Sequence, residues 1–294
     1  LIVFFTIFIR EFEFWQALGH SAFHAISSFN NAGFDILGGN SLASYQNNLA
    51  LLFTTTIFII AGGLGFIVLF DIFEKKKYRK LSTHSKIVIT TSIVLILSGT
   101  LLLRITSNIS WLDAYFHSVS ARTAGFSTIN LRHLGNASIL LLLVLMFIGA
   151  SPVSTGGGIK TTTFYIMVKV LFSYAFDRPV ITHHRKISQQ IIFKAFALTI
   201  VSTLVVFTIM FIVMSIEKNL SFTEVFFEVI SAFGTVGLSM GITAELHDAS
   251  KGVISLLMFF GRLGPLTIIS IFNRNWKKAS QSNVDYIEEK LIIG

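Results

Sequence analysis

One sequence pattern occurs three times, as Phe23-His-Ala-Ile-Ser-Ser-Phe-Asn-Asn-Ala-Gly-Phe34, Phe116-His-Ser-Val-Ser-Ala-Arg-Thr-Ala-Gly-Phe126 and Phe227-Glu-Val-Ile-Ser-Ala-Phe-Gly-Thr-Val-Gly-Leu238. Such self-similarity is the signature of a repeated structural unit. The second copy is one residue shorter between Ser120 and Gly125 than the other two copies are between their matching serine and glycine. The chain is therefore predicted to be a tandem repeat, and the register inside the second copy stays open.

The composition around these copies is typical of a membrane protein. Of the 294 residues, 53% are hydrophobic, only 13% are charged and 30 are Phe. Apolar runs long enough to cross a hydrocarbon core, which takes roughly 20 residues, occur at Asn48–Phe70, Ile87–Leu103, Ala195–Ile216 and Gly252–Phe272. Several such runs predict an all-α polytopic membrane protein rather than a large soluble domain.

The charged residues indicate an orientation in the membrane. The formal net charge is +8, and the basic residues cluster beside the apolar runs, at Lys75–Lys80 and Lys86, at Arg178, Arg185, Lys186 and Lys194, and at Arg274, Lys277 and Lys278. By the positive-inside rule these loops are cytoplasmic. They could also contact anionic lipid or a cytoplasmic partner, and no nucleic-acid partner is expected. The absence of Cys excludes disulfides and thiolate chemistry.

Each copy of the pattern belongs to a larger predicted unit. An aromatic-rich stretch too short to span the membrane (Phe14–Phe29, Trp111–Ala121, Phe222–Phe233) precedes an extended Gly segment and then an apolar helix. Each unit is thus predicted to be an outer helix, a re-entrant pore helix, an extended segment and an inner helix. The units are assigned to 1–80, with a truncated outer helix at Leu1–Ile9, to 81–185, and to 186–294 with a cytoplasmic tail.

The repeated glycines suggest what the extended segments do. Non-helical backbone at membrane depth is tolerated where it is buried in protein or lines a watery path, and rings of carbonyl oxygens there can replace the hydration shell of a cation. Gly33, Gly125 and Gly237 fit that role, and no carboxylate lies within the three segments. For one isolated copy, close helix packing or a turn is the better interpretation; three copies favour an alkali-cation filter.

A family resemblance supports this interpretation. Asn31-Ala-Gly-Phe34, Thr123-Ala-Gly-Phe126 and Thr235-Val-Gly-Leu238 resemble the filter segments of the Trk/Ktr/HKT potassium transporter superfamily, and the resemblance extends from about Phe14 to Phe272. The tract Ser151-Pro-Val-Ser-Thr-Gly-Gly-Gly-Ile-Lys-Thr-Thr-Thr163 is most similar to the bacterial Ktr pore-forming subunit. The resemblance implies that the potassium-binding filter consists of Asn31, Ala32, Gly33, Phe34, Thr123, Ala124, Gly125, Phe126, Thr235, Val236, Gly237 and Leu238.

The same resemblance implies an incomplete ring. Members of the superfamily carry four filter units around one pore, whereas three are present here. We therefore expect this chain to lack the first of the four units, and three units cannot close a pseudo-fourfold ring.

The inner helix of the middle unit is interrupted. It is predicted to run from Ala137 to Ile148, to break over Gly149–Gly158 and to resume from Ile159 through Phe172, because Gly, Ser and Pro disfavour a continuous helix. The break is interpreted as a movable gate below the filter, with a static kink as the alternative. The predicted gate residues are Gly156, Gly157, Gly158, Lys160 and Arg262.

Two of these gate residues carry charges near or within membrane spans, where ionisable groups are usually functional. Arg262 is predicted to bond to carbonyls of the broken segment and to act as a gate latch. Lys160 either does the same or snorkels to the inner surface.

One further repeat position carries polar residues, namely His24, His117 and Glu228. Pore-helix polar contacts are a better interpretation for them than metal ligation, so no metal site beyond the alkali cation is expected. The repeated segments offer almost none of the convergent titratable groups that an active site needs. The chain is therefore not expected to be an enzyme.

The predicted function is potassium uptake across a bacterial cell membrane through a carbonyl-lined selectivity filter and an intramembrane gating loop. K⁺ is the transported ion, Na⁺ is a candidate activator, and no other cofactor is expected. The resemblance implies a homodimer docked on a cytosolic nucleotide-binding ring. The alternatives are a non-conducting or regulatory membrane subunit and a sodium/potassium-coupled secondary transporter.

Overall fold

The computed structural model describes residues 1–37, 41–183 and 185–264. Within these ranges the chain forms eleven α-helices and one short antiparallel hairpin. Arg274, Lys277 and Lys278 of the predicted tail, and the end of the apolar run predicted to reach Phe272, lie outside the described residues, as does His184 in the second basic loop.

The elements follow one another in this order: α1 (Ile2–Phe8), α2 (Phe14–Phe29), α3 (Leu49–Leu64), α4 (Phe66–Lys75), α5 (Thr83–Thr106), α6 (Trp111–Ser120), α7 (Asn136–Phe147), α8 (Thr161–Ala175), β1 (Ile181–Thr182), β2 (Arg185–Lys186), α9 (Gln189–Ile216), α10 (Phe222–Gly234) and α11 (Asp248–Leu263). Outer helices α1, α5 and α9 each precede a short helix, α2, α6 or α10, which an irregular segment joins to the next long helix. This helix content agrees with the predicted all-α polytopic fold.

The short helices start where the sequence supplies caps. The Ser110 hydroxyl accepts a hydrogen bond from the Asp113 backbone N–H at the start of α6 (3.0 Å). At the start of α10, Ser221 and Glu224 form a capping box, in which each side chain accepts from the other residue's backbone N–H. These caps satisfy N–H groups that no helical turn can pair, and they fix where each pore helix begins.

The apolar run Asn48–Phe70 is not the single straight span that was predicted. Its two helices, α3 and α4, are bent by 100° at Gly65, whose φ of 89° is unfavourable for any residue with a side chain. The Phe66 N–H freed by the break donates to the Val153 carbonyl (3.0 Å). Two described helices, α5 and α9, are long and apolar enough to cross a membrane, and the bent pair would count as a third.

Helices of different units pack against one another around the centre. The inner helix α3 packs on its own pore helix α2 and on the pore helix α6 of the following unit, and α7 packs on α10 in the same way. The buried Asp71 carboxylate pairs with Lys75 within α4 (2.6 Å), and it joins the first unit to the second by accepting from the Ser82 backbone N–H (2.8 Å). The pore helices α6 and α10 are each held by helices from two units.

The role of Ser221 as the cap of the last pore helix, α10, can be tested directly. We expect Ser221→Ala to lower the free energy of unfolding by about 1 kcal/mol, because the Glu224 N–H loses its acceptor. Thermal unfolding of the detergent-solubilised protein measures the change. Ser215→Ala is the control, since the Ser215 hydroxyl only back-bonds to the Phe211 carbonyl inside α9. Equal melting temperatures for the two variants would contradict the capping role.

Candidate cation-filter site

The three repeated segments share an unusual backbone. Positive φ values occur at every second residue: 52° and 72° at Asn31 and Gly33, 82° and 82° at Thr123 and Gly125, and 50° and 93° at Thr235 and Gly237. This alternation lets successive carbonyls turn to one side, whereas in a regular strand they alternate. The left-handed conformation at Thr123 and Thr235, both β-branched, costs of order 1–3 kcal/mol each. Sequence reasoning assigned Thr123 and Thr235 to the filter but did not predict their left-handed backbone.

Each segment is tied to the end of its own pore helix. In each segment, the carbonyl oxygen of a pore-helix serine accepts a hydrogen bond from the backbone N–H of the residue just before the repeated glycine. The donor–acceptor pairs are Ala32 to Ser27 (2.9 Å), Ala124 to Ser120 (2.8 Å) and Val236 to Ser231 (2.8 Å). The second copy makes this bond although it is one residue shorter. The register left open by the sequence is therefore the same in all three segments from Asn31, Thr123 and Thr235 onwards.

The serine hydroxyls narrow the set of carbonyls that can face a cation. The Ser27 hydroxyl donates to the Phe34 carbonyl (2.7 Å), and the Ser120 hydroxyl donates to the Phe126 carbonyl (2.5 Å). Both carbonyls are thus bonded to their own pore helix, and the membership of Phe34 and Phe126 in the filter stays a prediction. In the third segment the Ser231 hydroxyl instead accepts from the Gly237 N–H (3.2 Å).

The three glycines lie side by side. A Cβ atom on Gly33 would lie 3.0 Å from the Gly125 Cα, and one on Gly125 would lie 3.2 Å from the Gly237 Cα. A Cβ on Gly237 would meet only the Gly125 Cα, at 3.6 Å, among the residues that the structure describes. The segments therefore stand in the order first, second, third around a common centre, with one side open between the third and the first.

The polar side chains at the start of the segments converge on the same centre. The Asn31 amide lies 3.2 Å from the Thr123 hydroxyl, in hydrogen-bond contact, and both residues are buried. The buried Thr235 hydroxyl has no hydrogen-bond partner in the described part of the chain. Side-chain oxygens thus line the end of the three segments that lies nearest the pore-helix ends.

A loop from Ile148 to Lys160 joins α7 to α8 and lies directly against this end, at the predicted break. A Cβ on Gly157 would be 2.6 Å from the Thr235 hydroxyl oxygen, and one on Gly156 would be 2.9 Å from the Thr123 Cβ. Gly158, with φ of 71°, turns the chain back towards Gly149. The loop therefore fills the space below the filter segments.

The loop rests on the bend of the first inner helix. The Ser151 and Thr155 N–H groups donate to the carbonyls of Gly63 (3.0 Å) and Gly62 (3.3 Å), which α3 leaves unpaired near its end. A Cβ on Gly62 would also lie 2.9 Å from the Thr155 hydroxyl oxygen. Sequence reasoning missed this support, although the run Gly62-Gly-Leu-Gly65 inside an apolar stretch was a usable signal.

Two cationic side chains bond to carbonyls of the loop. Lys160 donates from Nζ to the Gly156 carbonyl (2.7 Å), and Arg262 of α11 donates from Nη1 to the Thr155 carbonyl. The structure thus brings all five predicted gate residues to one place. These contacts are static, and the latch role of Arg262 remains a prediction.

The residues at the remaining shared repeat position each make a different polar contact. His24 contacts the Thr55 hydroxyl (2.8 Å), His117 contacts the Ser127 hydroxyl (3.0 Å), and the Glu228 carboxylate accepts from the Thr243 hydroxyl. No group of three or more potential metal-binding side chains occurs within the described ranges. These three residues brace the pore helices against the segments and helices around them.

The units and their buried breaks define a polytopic helical membrane protein that holds non-helical backbone at membrane depth. The sequence matches the TrkH family, described as cation transport protein, over residues 1–87 and 83–282. The chain belongs to this family, which confirms the predicted resemblance and agrees with the expectation of a multi-pass membrane protein that is not an enzyme.

Matches to individual proteins give a more specific comparison than the match to the family. The chain is 36% identical over 299 residues to the Ktr system potassium uptake protein B of Bacillus subtilis, with 97% of this chain and 66% of that protein covered. It is 35% identical over 304 residues to the potassium/sodium uptake protein NtpJ of Enterococcus hirae, covering 98% and 67%. The chain thus spans about two thirds of the length of these relatives.

A solved structure supports the fold. The potassium transporter TrkH of Vibrio parahaemolyticus matches with a TM-score of 0.72 at 22% sequence identity, over 92% of this chain and 61% of that one. At this identity the match concerns the fold alone.

The serine tie of the second segment can be tested without a transport assay. We expect Ser120→Ala to lower the free energy of unfolding by about 1–3 kcal/mol, because the buried Phe126 carbonyl loses its donor. Ser28→Ala is the matched control, since the Ser28 hydroxyl is equally buried but only back-bonds to the His24 carbonyl within α2. Thermal unfolding in detergent compares the two. A larger loss for Ser28→Ala would argue against the tie.

Proposed function

We propose that this chain lines three sides of a potassium-conducting path, with the carbonyls from Asn31 to Gly33, Thr123 to Gly125 and Thr235 to Leu238 as its selectivity filter. The observation that carries the proposal is the side-by-side placement of three left-handed glycines at the ends of three pore helices. Carbonyl rings of this kind replace the hydration shell of an alkali cation. The names of the Bacillus and Enterococcus relatives, which are potassium and potassium/sodium uptake proteins, support potassium as the ion.

The proposed units are 1–80, 81–185 and 186–294, each with one filter segment. The order of the glycines around the centre supports a fourfold arrangement, because Gly33 and Gly237 both flank Gly125 and do not flank each other. A further unit on the open side would close the ring. The path is proposed to work in the bacterial plasma membrane.

The loop from Ile148 to Lys160 is proposed as the gate of this path. It lies against Thr123 and Thr235 at the inner end of the filter, so a cation leaving the filter meets it first. Arg262 is proposed as the latch that holds it there, and Lys160 as an internal tie within the loop. Homodimerisation, a cytosolic nucleotide-binding ring that moves the loop, and activation by Na⁺ are further proposals that the Ktr resemblance supports.

Uptake in potassium-uptake-deficient cells tests the path. The chain is expressed alone and as a fusion in which the first unit of the Bacillus relative, consisting of an outer helix, a pore helix and an inner helix, precedes it. K⁺ uptake is measured at low external K⁺. We expect saturable uptake from the fusion. A non-conducting or regulatory subunit would give no uptake in either form despite normal amounts of protein in the membrane.

In the conducting form, Gly125→Ala should reduce K⁺ uptake at least about tenfold. The added methyl group would overlap the Val236 carbonyl in a backbone conformation that L residues rarely adopt. Gly252→Ala is the control, because a Cβ at this position in α11 would meet no atom within 4 Å. Uptake by Gly125→Ala that equals the uptake of this control would rule out the filter assignment.

Arg262→Met is expected to raise the rate of K⁺ uptake several-fold. It removes a charge-assisted hydrogen bond to the Thr155 carbonyl, an interaction worth about 1.5–3 kcal/mol, and so favours displacement of the loop. Lys251→Met on the same helix removes an equal charge that pairs at the surface with Asp248 (3.9 Å), and it should leave the rate unchanged. Slower uptake by Arg262→Met would show that the arginine does not hold the path closed.

A further inference from the structure

The guanidinium of Arg122 is buried but only partly hydrogen-bonded. The residue is only 8% exposed, and its guanidinium donates to the carbonyl and the hydroxyl of Ser92 on α5 at 3.4 and 3.2 Å. Its Nε has no partner, and none of the ion pairs in the described ranges includes it. A guanidinium stays protonated in proteins, so its positive charge is not neutralised by a carboxylate.

A small cavity adjoins the guanidinium. Its volume is about 10 Å³, and its lining includes Gly63, Ser92, Val119 and Arg122. This is the room that a single water molecule needs. A water here could bond to the free Nε, but it could not supply a countercharge.

Arg122 lies at one end of a filter segment, and its side chain lines the same cavity as Gly63, on which a Cβ would lie 3.3 Å from the Asn31 amide nitrogen. Arg122 follows the last turn of α6 and immediately precedes Thr123, which contacts both Asn31 and Gly156 of the loop. The matching residues of the other two segments are Asn30 and Gly234, which are uncharged. The C-terminus of a pore helix carries about −0.5 of an elementary charge, which attracts cations. In one of the three segments that attraction is therefore opposed by a full positive charge.

Packing alone is a poor reason for an arginine at this position. Burying an ion without a countercharge is costly, and an apolar side chain of similar volume is often neutral or stabilising where it replaces buried charges. The position within the filter offers a better reason, because a fixed charge beside the inner filter end acts on every cation that stops there.

We propose that Arg122 is a specificity-determining residue that sets the cation affinity of the innermost filter position, bounded by Asn31, Thr123 and Thr235. Its charge weakens cation binding at that position and so favours release of the ion towards the loop. The inference rests on the filter proposed above.

Thermal stability of the purified full chain in detergent, measured against K⁺ concentration with choline chloride holding the ionic strength constant, tests the inference by binding rather than by transport. Arg122→Met should lower the half-stabilising K⁺ concentration by about 3- to 10-fold, because one unit charge that repels cations is removed beside the filter segment. Arg122→Lys keeps the charge and should stay within about twofold of the wild type.

The control is Arg132→Met, which removes a half-exposed charge that pairs with Glu224 at the start of α10 (3.4 Å), and it should match the wild type. If Arg122→Met does not fold, Arg122→Gln is judged by the same criterion. An unchanged or higher half-stabilising concentration for the uncharged variant, or a fall of the same size for Arg122→Lys, overturns the role of the charge. If K⁺ does not stabilise even the wild-type chain, the filter proposal and this inference both fail.

Discussion

Backbone groups that leave helical geometry at membrane depth have no water to bond, so they must find partners inside the protein. Here the partners of one irregular segment are supplied by another. The break at Gly65 frees the Phe66 N–H, which the Val153 carbonyl of the loop accepts, while the loop's own Ser151 and Thr155 N–H groups find the last carbonyls of α3. The bend of the first inner helix and the break of the second therefore depend on each other.

This mutual pairing also links the proposed gate to the filter. Gly62 and Gly63 are in contact range of Phe29 and Asn31 at the base of the first segment, and they bond to the loop at the same time. Movement of the loop away from the filter must break these bonds and leave polar groups of α3 unpaired. A displaced loop is thus stable only where water or another partner reaches those groups, which favours a gate that opens when the cavity below the filter is hydrated.

The sequence predicted the features that depend on local pattern. The aromatic stretches ended by a Gly segment located α2, α6 and α10 to within one residue, and the cluster of Gly, Ser and Pro located the break after α7. The bend at Gly65 was not predicted, because apolarity over Asn48–Phe70 signals contact with lipid and core but not the direction of the chain. Its stabilising partner, Val153, is distant in sequence. The turned-back carbonyls of Phe34 and Phe126 depend likewise on hydroxyl rotamers that no residue pattern fixes.

The units that repeat in sequence are not equivalent in structure, and the space below the filter explains why. Gly156 and Gly157 already touch the threonines of the second and third segments, with no room for a Cβ at either position. A second loop of the same length from another inner helix would have to occupy the same volume. One unit of the repeat can therefore carry the loop, and the inner helices beside it must end differently: α3 by bending at Gly65 to support the loop, and α11 by directing Arg262 onto the Thr155 carbonyl. The departure from symmetry is a steric consequence of placing a single folded segment beneath the filter.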